Sequence, residues 1–218
     1  IPSLYTAQCS ITTDQDNNQI TAFHPGAMGE AHQNKVADAA NISLGIVAPD
    51  GRDAMLQHSR DFAVLRIPFI FDPGQNLPLF SKDELLTCID QTTWCVMNDY
   101  ESQLMMKITE LTLDDIASQV DALIVTRGGE GSRIYAGGKS IDIPAASIEA
   151  AVDPTGCGDA FRAGLLYGLN CGWDWETSGR AASLVGAFKV EQQGTQNHHF
   201  TEDQFQARFE ENFGYSLP

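Results

Sequence analysis

Two short runs of β-type alternation open the chain, Leu4–Thr13 and Gln19–Phe23, and the Asp- and Asn-rich stretch Asp14–Asn18 between them predicts a turn. After His24-Pro25-Gly26 a polar, alanine-containing stretch to about Ala40 predicts a short helix. A regular succession then sets in. Continuous apolar runs at Ile42–Ala48, Phe69–Phe71, Trp94–Met97 and Ala122–Thr126 read as buried strands. Between them, apolar residues at helical spacing mark helices over Arg52–Leu65, Lys82–Asp90 and Glu101–Leu111. Ser132–Ala136 and Ser140–Ile143 flank Gly137-Gly138 and predict a hairpin. The last third is helical: Asp159–Leu169, Glu176–Val190, and a terminal helix over Glu202–Phe213 capped by Thr201. Short apolar strands alternating with helices belong to a mostly parallel sheet covered on both faces, with a small β-hairpin at the start.

Composition narrows the function classes. The 218 residues carry 13 Lys+Arg against 29 Asp+Glu, a formal net charge of −16. So acidic a surface argues against nucleic acid as a partner, because that binding rests on basic patches. If the protein handles phosphate, it must do so with backbone N–H groups or a metal. No apolar run reaches the ~18 residues of a membrane span, so no membrane partner is expected. Five cysteines (Cys9, Cys88, Cys95, Cys157 and Cys171) form no C-x-x-C pair, which fits a reducing, cytoplasmic setting better than a disulfide scaffold. The adjacent His198 and His199 lack a third ligand at a recognisable spacing, so no zinc site is expected.

The most informative segment is Asp153-Pro154-Thr155-Gly156-Cys157-Gly158-Asp159-Ala160-Phe161. Glycines at 156 and 158 let a backbone approach a ligand, and the following helix turns its N-terminus, with unpaired N–H groups, toward them. Asp159 would repel an anion there. It makes sense if it takes a proton from a hydroxyl attacking a phosphoryl group. Spacing alone leaves that reading level with a plain turn capped by Asp159. The chain contains no G-x-x-x-x-G-K-[ST] phosphate loop.

DPTGCGDAF resembles the C-terminal signature of the ribokinase/adenosine kinase (PfkB) family, D-T-x-G-A-G-D. Three further segments agree with that family in order and spacing. Asn98-Asp99-Tyr100-Glu101 resembles its N-x-x-E motif, Thr126-Arg127-Gly128-Gly129-Glu130-Gly131 its T-x-G-x-x-G nucleotide loop, and ITTDQDNNQITAFHPGAM the lid of its adenosine and nucleoside kinase branch.

The resemblance implies a ribokinase-like three-layer αβα sandwich with a mostly parallel, doubly wound sheet. Residues 1–24 would form part of the β lid and adjoining strands, and residues 25–218 the ATP-binding catalytic domain. It implies Asp159 as general base, also touching the substrate, and an anion hole at Gly156, Cys157 and Gly158. Asn98, Thr126, Gly128 and Gly131 would bind nucleotide, and Glu101 would hold Mg2+ through water. Asp153, Thr155 and Gly194 would hold K+. Cys157 replaces the usual Ala, but the contribution is from backbone, so a structural thiol is expected. By the residues alone, Asn98 and Glu101 also read as a helix cap with a first-turn acid. Phe23 reads equally as a stacking platform for a nucleoside base or as a packing residue of the lid.

The implied activity is transfer of the ATP γ-phosphate to the primary 5′-hydroxyl of a nucleoside, adenosine first, with dimerisation through the lid. Two rivals stay open: a sugar kinase on the same scaffold, and a catalytically silent nucleotide-binding protein. The chain begins at Ile1, and the family's first βα unit with its sugar-binding Gly-Gly turn is expected to precede it.

Overall fold

The computed structural model describes residues 1–13 and 19–218. Strands β1 (Gln8–Thr13) and β2 (Gln19–His24) pair antiparallel as a separate two-stranded sheet. The expected turn at 14–18 lies outside the described residues. Both strands of the hairpin are largely exposed, with Ile11, Ile20 and Phe23 presenting apolar surface to solvent.

The chain then enters a six-stranded sheet of order β3-β4-β5-β6-β7-β8. These strands are β3 (Gly45–Val47), β4 (Phe69–Phe71), β5 (Trp94–Asn98), β6 (Ala122–Thr126), β7 (Ser132–Ala136) and β8 (Lys139–Ile143). Pairing is parallel from β3 to β6 and antiparallel thereafter. The parallel strands are joined by α1 (Arg52–Leu65), α2 (Lys82–Gln91), and α3 (Asp99–Thr109) followed by α4 (Leu113–Ala117). These helices pack on one face, where Met55, Leu85, Met105 and Ile116 meet Phe69, Phe71, Met97 and Leu123. On the opposite face α5 (Cys157–Asn170) and α6 (Trp175–Val190) bring Phe161, Leu165 and Ala182 onto Ile70, Val96, Ile124 and Ile134. Successive residues of β6 thus alternate between two cores, as a strand buried on both faces must. Each fully buried Phe or Leu contributes roughly 1.5–3 kcal/mol. Helix α7 (Glu202–Phe213) closes a third, smaller cluster through Phe209 against Leu184 and Ala187.

Several expected elements differ in detail. The stretch before Ala40 forms two 3-10 segments, Gly26–Gln33 and Val36–Asp38, interrupted by extended backbone at Asn34 and Lys35. It carries no apolar stripe that would stabilise an α-helix. Only Gly45–Val47 of the Ile42–Ala48 run is strand, since β4 offers three residues to pair with. The helix expected at 101–111 starts earlier, because Asn98 caps it, and stops at Glu110 in the left-handed conformation. The short α4 was not expected. Its signature is the capping box formed by Thr112 and Asp115. No helix of the described residues is long and apolar enough to cross a membrane.

Candidate active site

Parallel strands present their carboxyl ends at one edge, the usual place for ligands in open α/β sheets. Three such ends carry polar residues here. Asp72 follows β4, Asn98 ends β5, and Thr126 ends β6 directly opposite Asn98 in the parallel register. The N-x-x-E motif and the nucleotide loop, separated in sequence, therefore begin side by side.

Asn98 starts α3 with a reciprocal capping box. Its Oδ1 accepts the Glu101 N–H at 2.7 Å, and Glu101 Oε2 accepts the Asn98 N–H at 2.8 Å. The helix-cap reading of this pair is realised, at the carboxyl edge of the parallel sheet. In the nucleotide loop the Arg127 N–H donates to the Gly131 carbonyl at 2.8 Å, closing a turn in which Gly131 has φ +83°. A Cβ on Gly131 would lie 2.0 Å from the Ile143 carbonyl oxygen, so only glycine fits.

Gly156 precedes α5 with φ +86° and offers no side-chain cap. The Cys157 N–H donates to the Pro154 carbonyl at 3.1 Å, and the first bond into the helix runs from the Ala160 N–H to the Gly156 carbonyl. Helix geometry leaves the remaining first-turn N–H groups, those of Gly158 and Asp159, for an outside acceptor. Gly158 itself is helical. A Cβ there would meet only the flexible guanidinium of Arg162, at 3.0 Å. The half-buried Cys157 thiol lies 3.8 Å from the Asp153 carbonyl, and burial pushes it up, in line with a structural role.

The nucleotide loop and this turn face each other across a mostly apolar cleft of about 320 Å³, lined by Thr126, Gly128, Gly131, Cys157, Gly158 and Phe161 among others. A larger groove of about 800 Å³ runs along α7, but it holds no motif residue, and its Arg208 is tied to Glu191. Asn98 and Glu101 do not line the cleft; Asn98 adjoins it through its pairing with Thr126. Asp153, Thr155 and Gly194 do meet: the Asp153 carboxylate accepts the Thr155 N–H at 2.9 Å and the Gly194 N–H at 2.8 Å. Those backbone bonds hold it down at about 2. Phe23 is not brought to the cleft; it stands half-exposed on β2, paired across the hairpin with Cys9.

Two residues of the site were missed from the sequence. Arg162, one turn along α5 from Asp159, donates to Asp159 Oδ1 at 2.6 Å, and its Nε lies 2.7 Å from Asp72 Oδ2. Asp159 is 78% exposed, whereas Asp72 is 1% exposed, and its Oδ2 has no aligned hydrogen bond. Burial pushes Asp72 up to about 7; Arg162 pulls it back, and the charges of Glu101 and Asp159 add to the rise. A carboxylate directly after a buried parallel strand was the available signal for Asp72, and the i, i+3 spacing from Asp159 the signal for Arg162.

Sequence and fold comparisons bear on this geometry. The chain is 37% identical over 209 residues to a nucleoside kinase of Methanocaldococcus jannaschii, covering 95% of this chain and 68% of that protein. The structure of Burkholderia thailandensis nucleoside kinase in complex with inosine superposes with a TM-score of 0.96 at 52% identity, over 98% of this chain and 70% of that one. The same enzyme in complex with ADP-inosine gives 0.95 over 98% and 67%. The model of the pfkB carbohydrate kinase family matches residues 3–202. With its motifs gathered at one sheet edge and that match spanning nearly its whole length, the chain belongs to the pfkB family of carbohydrate kinases, phosphotransferases that act on a hydroxyl group.

Proposed function

We propose that the protein is an ATP-dependent nucleoside kinase that phosphorylates the 5′-hydroxyl of a purine nucleoside, with adenosine and inosine as the acceptors to compare first. The observation that carries this reading is that the nucleotide loop and the bare N-terminus of α5 face each other across one cleft, with Asp159 next to the cleft-lining Gly158 in the first turn of α5. The likeness to an enzyme solved with inosine and with ADP-inosine supports a nucleoside over a free sugar.

The chemistry follows from the arrangement. The substrate hydroxyl oxygen attacks the γ-phosphorus while the Asp159 carboxylate takes its proton, and ADP leaves with the electrons of the broken P–O bond. The first-turn N–H groups of α5 stabilise charge on the transferring phosphoryl oxygens. Arg162 holds one carboxylate oxygen of Asp159 and leaves the other for the hydroxyl.

Magnesium fits this edge. Asp72 offers a buried carboxylate oxygen without an aligned hydrogen bond, and its Coulombic coupling to Glu101 and Asp159 marks an excess of negative charge that a cation would relieve. Magnesium in phosphoryl-transfer sites is commonly held by one or two carboxylates together with water and substrate phosphate. Asp72 and Glu101 would hold it, and when bound it neutralises charge on the triphosphate. The exposed apolar residues of the β1–β2 hairpin support a dimer through the lid, which sedimentation of the wild type and of Ile20→Asp compares.

The deciding experiment measures ADP release with adenosine, inosine, guanosine, ribose and fructose as acceptors. Nucleosides turning over well above the free sugars is the expected result. Preference for ribose or fructose restores the sugar-kinase reading, and ATP binding without turnover of any acceptor the silent one.

A further inference from the structure

Lys189, in the last turn of α6, is fully buried. A buried ammonium must be paired or solvated by dipoles, since its desolvation is otherwise prohibitive. Its Nζ donates to the Asp153 carbonyl at 2.6 Å and to the Gln192 carbonyl at 3.2 Å. Those carbonyls belong to the two loops that the family resemblance assigns to K+, through Asp153, Thr155 and Gly194.

The Asp153 carboxylate and the Val190 carbonyl are engaged as well. Asp153 Oδ1 accepts the Thr155 N–H, and Oδ2 accepts the Gly194 N–H and the Gln193 side-chain amide, the latter at 3.0 Å. The Val190 carbonyl accepts two N–H groups, from Val152 at 2.8 Å and Asp153 at 3.0 Å. A potassium ion needs a cage of free carbonyl-type oxygens that replaces its hydration shell. Here the Asp153 carboxylate and the Asp153, Gln192 and Val190 carbonyls are satisfied from within, and a positive charge already sits between the loops. The residues present do not fit a monovalent metal ion.

We infer that the Lys189 ammonium stands in for the monovalent cation, joining the Asp153–Gly158 turn to the end of α6 and holding the anion hole in position. Lys189 is a positioning residue: it touches neither the cleft nor Asp159, and acts through the backbone of the turn it braces. It differs from a metal ion in being tethered, so its occupancy does not depend on the medium.

The test compares wild type and Lys189→Ala in KCl, NaCl and NH4Cl. At equal ionic strength, which keeps screening constant, wild-type turnover should agree within about twofold across the salts. Lys189→Ala in NaCl should lose roughly 10²-fold, the scale of a misplaced catalytic group, and K+ or NH4+ should restore much of it. Melting of the ligand-free proteins gives a second readout, which holds whatever the acceptor is and so separates this inference from the nucleoside-kinase reading on which its kinetic arm rests. Wild type should melt at the same temperature in KCl and NaCl, and Lys189→Ala should be stabilised selectively by K+. Wild type activated or stabilised specifically by K+ overturns the inference, and so does a folded Lys189→Ala indifferent to K+. If Lys189→Ala does not fold, the wild-type comparison decides alone.

Discussion

Asn98 closes the start of α3 with its own side chain, whereas Gly156 leaves the start of α5 bare. Both helices begin beside the same cleft. The first spends its N-terminal N–H groups on an internal capping box; the second keeps them available and adds positive φ to bring the backbone in close. Helices α2, α4, α6 and α7 follow the closed pattern through Ser81, Thr112, Asp174 and Thr201. Helix α1 also starts without a side-chain cap, at Gly51, but with φ −53°, so what distinguishes the start of α5 is the absence of a competing acceptor together with positive φ at Gly156. Closure serves stability, and openness serves chemistry.

The largest expected effect lies at the open end. Asp159→Asn keeps the shape and removes the base, so turnover should fall by roughly 10²–10⁴ with ATP affinity little changed. Near-normal turnover would take Asp159 out of the mechanism. Gly158→Ala comes next. Its methyl leaves the N–H in place and meets only the movable end of Arg162, so melting should hold. By keeping a phosphoryl group from that N–H it should lower the rate by up to about a hundredfold, the scale set by one oxyanion-type donor. Gly156→Ala should also melt earlier, because a non-glycine residue in the left-handed region costs about 1–2 kcal/mol and its Cβ would sit 3.1 Å from the Thr195 carbonyl oxygen. Should Gly158→Ala melt earlier yet turn over normally, the open end is only a turn.

At the closed end, Asn98 should respond in the opposite sense. Asn98→Ala breaks the capping box at about 0.5–2 kcal/mol, a fall of a few degrees in Tm. Glu101→Gln retains a side chain that can close the box, so melting should barely change while the magnesium concentration for half-maximal rate rises. An unchanged magnesium requirement would return Glu101 to a purely capping role.

A separate effect, read in pH rather than in rate, concerns Asp72 in metal-free enzyme. Its folded pKa of about 7 exceeds its ordinary 3.8, so the native state holds an extra proton between those values. Stability from this group is therefore complete below about pH 4 and is lost as pH rises through about 7. Asp72→Asn should flatten the decline in Tm between about pH 5 and about pH 8. A variant that keeps the wild-type slope would show that the Asp72 carboxyl does not titrate across this range.

Local information was enough for much of this. Helix α1, strands β4, β6 and β7, and the Thr201-capped α7 were legible with their observed limits, because apolar period and capping residues act over one or two turns. The glycine turn, the nucleotide loop and Asp159 were legible because each motif is contiguous. The 3-10 segments and α4 were not, since elements of one or two turns carry too little periodicity to stand out.

Only the tertiary structure decided what meets what. Asp72 and Asp159 share one guanidinium because β4 ends beneath the start of α5, and Lys189 reaches the Asp153 carbonyl because α6 packs along α5 and ends at that turn. In the sequence Lys189 is one more basic residue near a helix end, as a solvated surface lysine would be. Its burial, and hence its obligation to find oxygen partners, exists only once the sheet and its two helical layers have excluded water from around it.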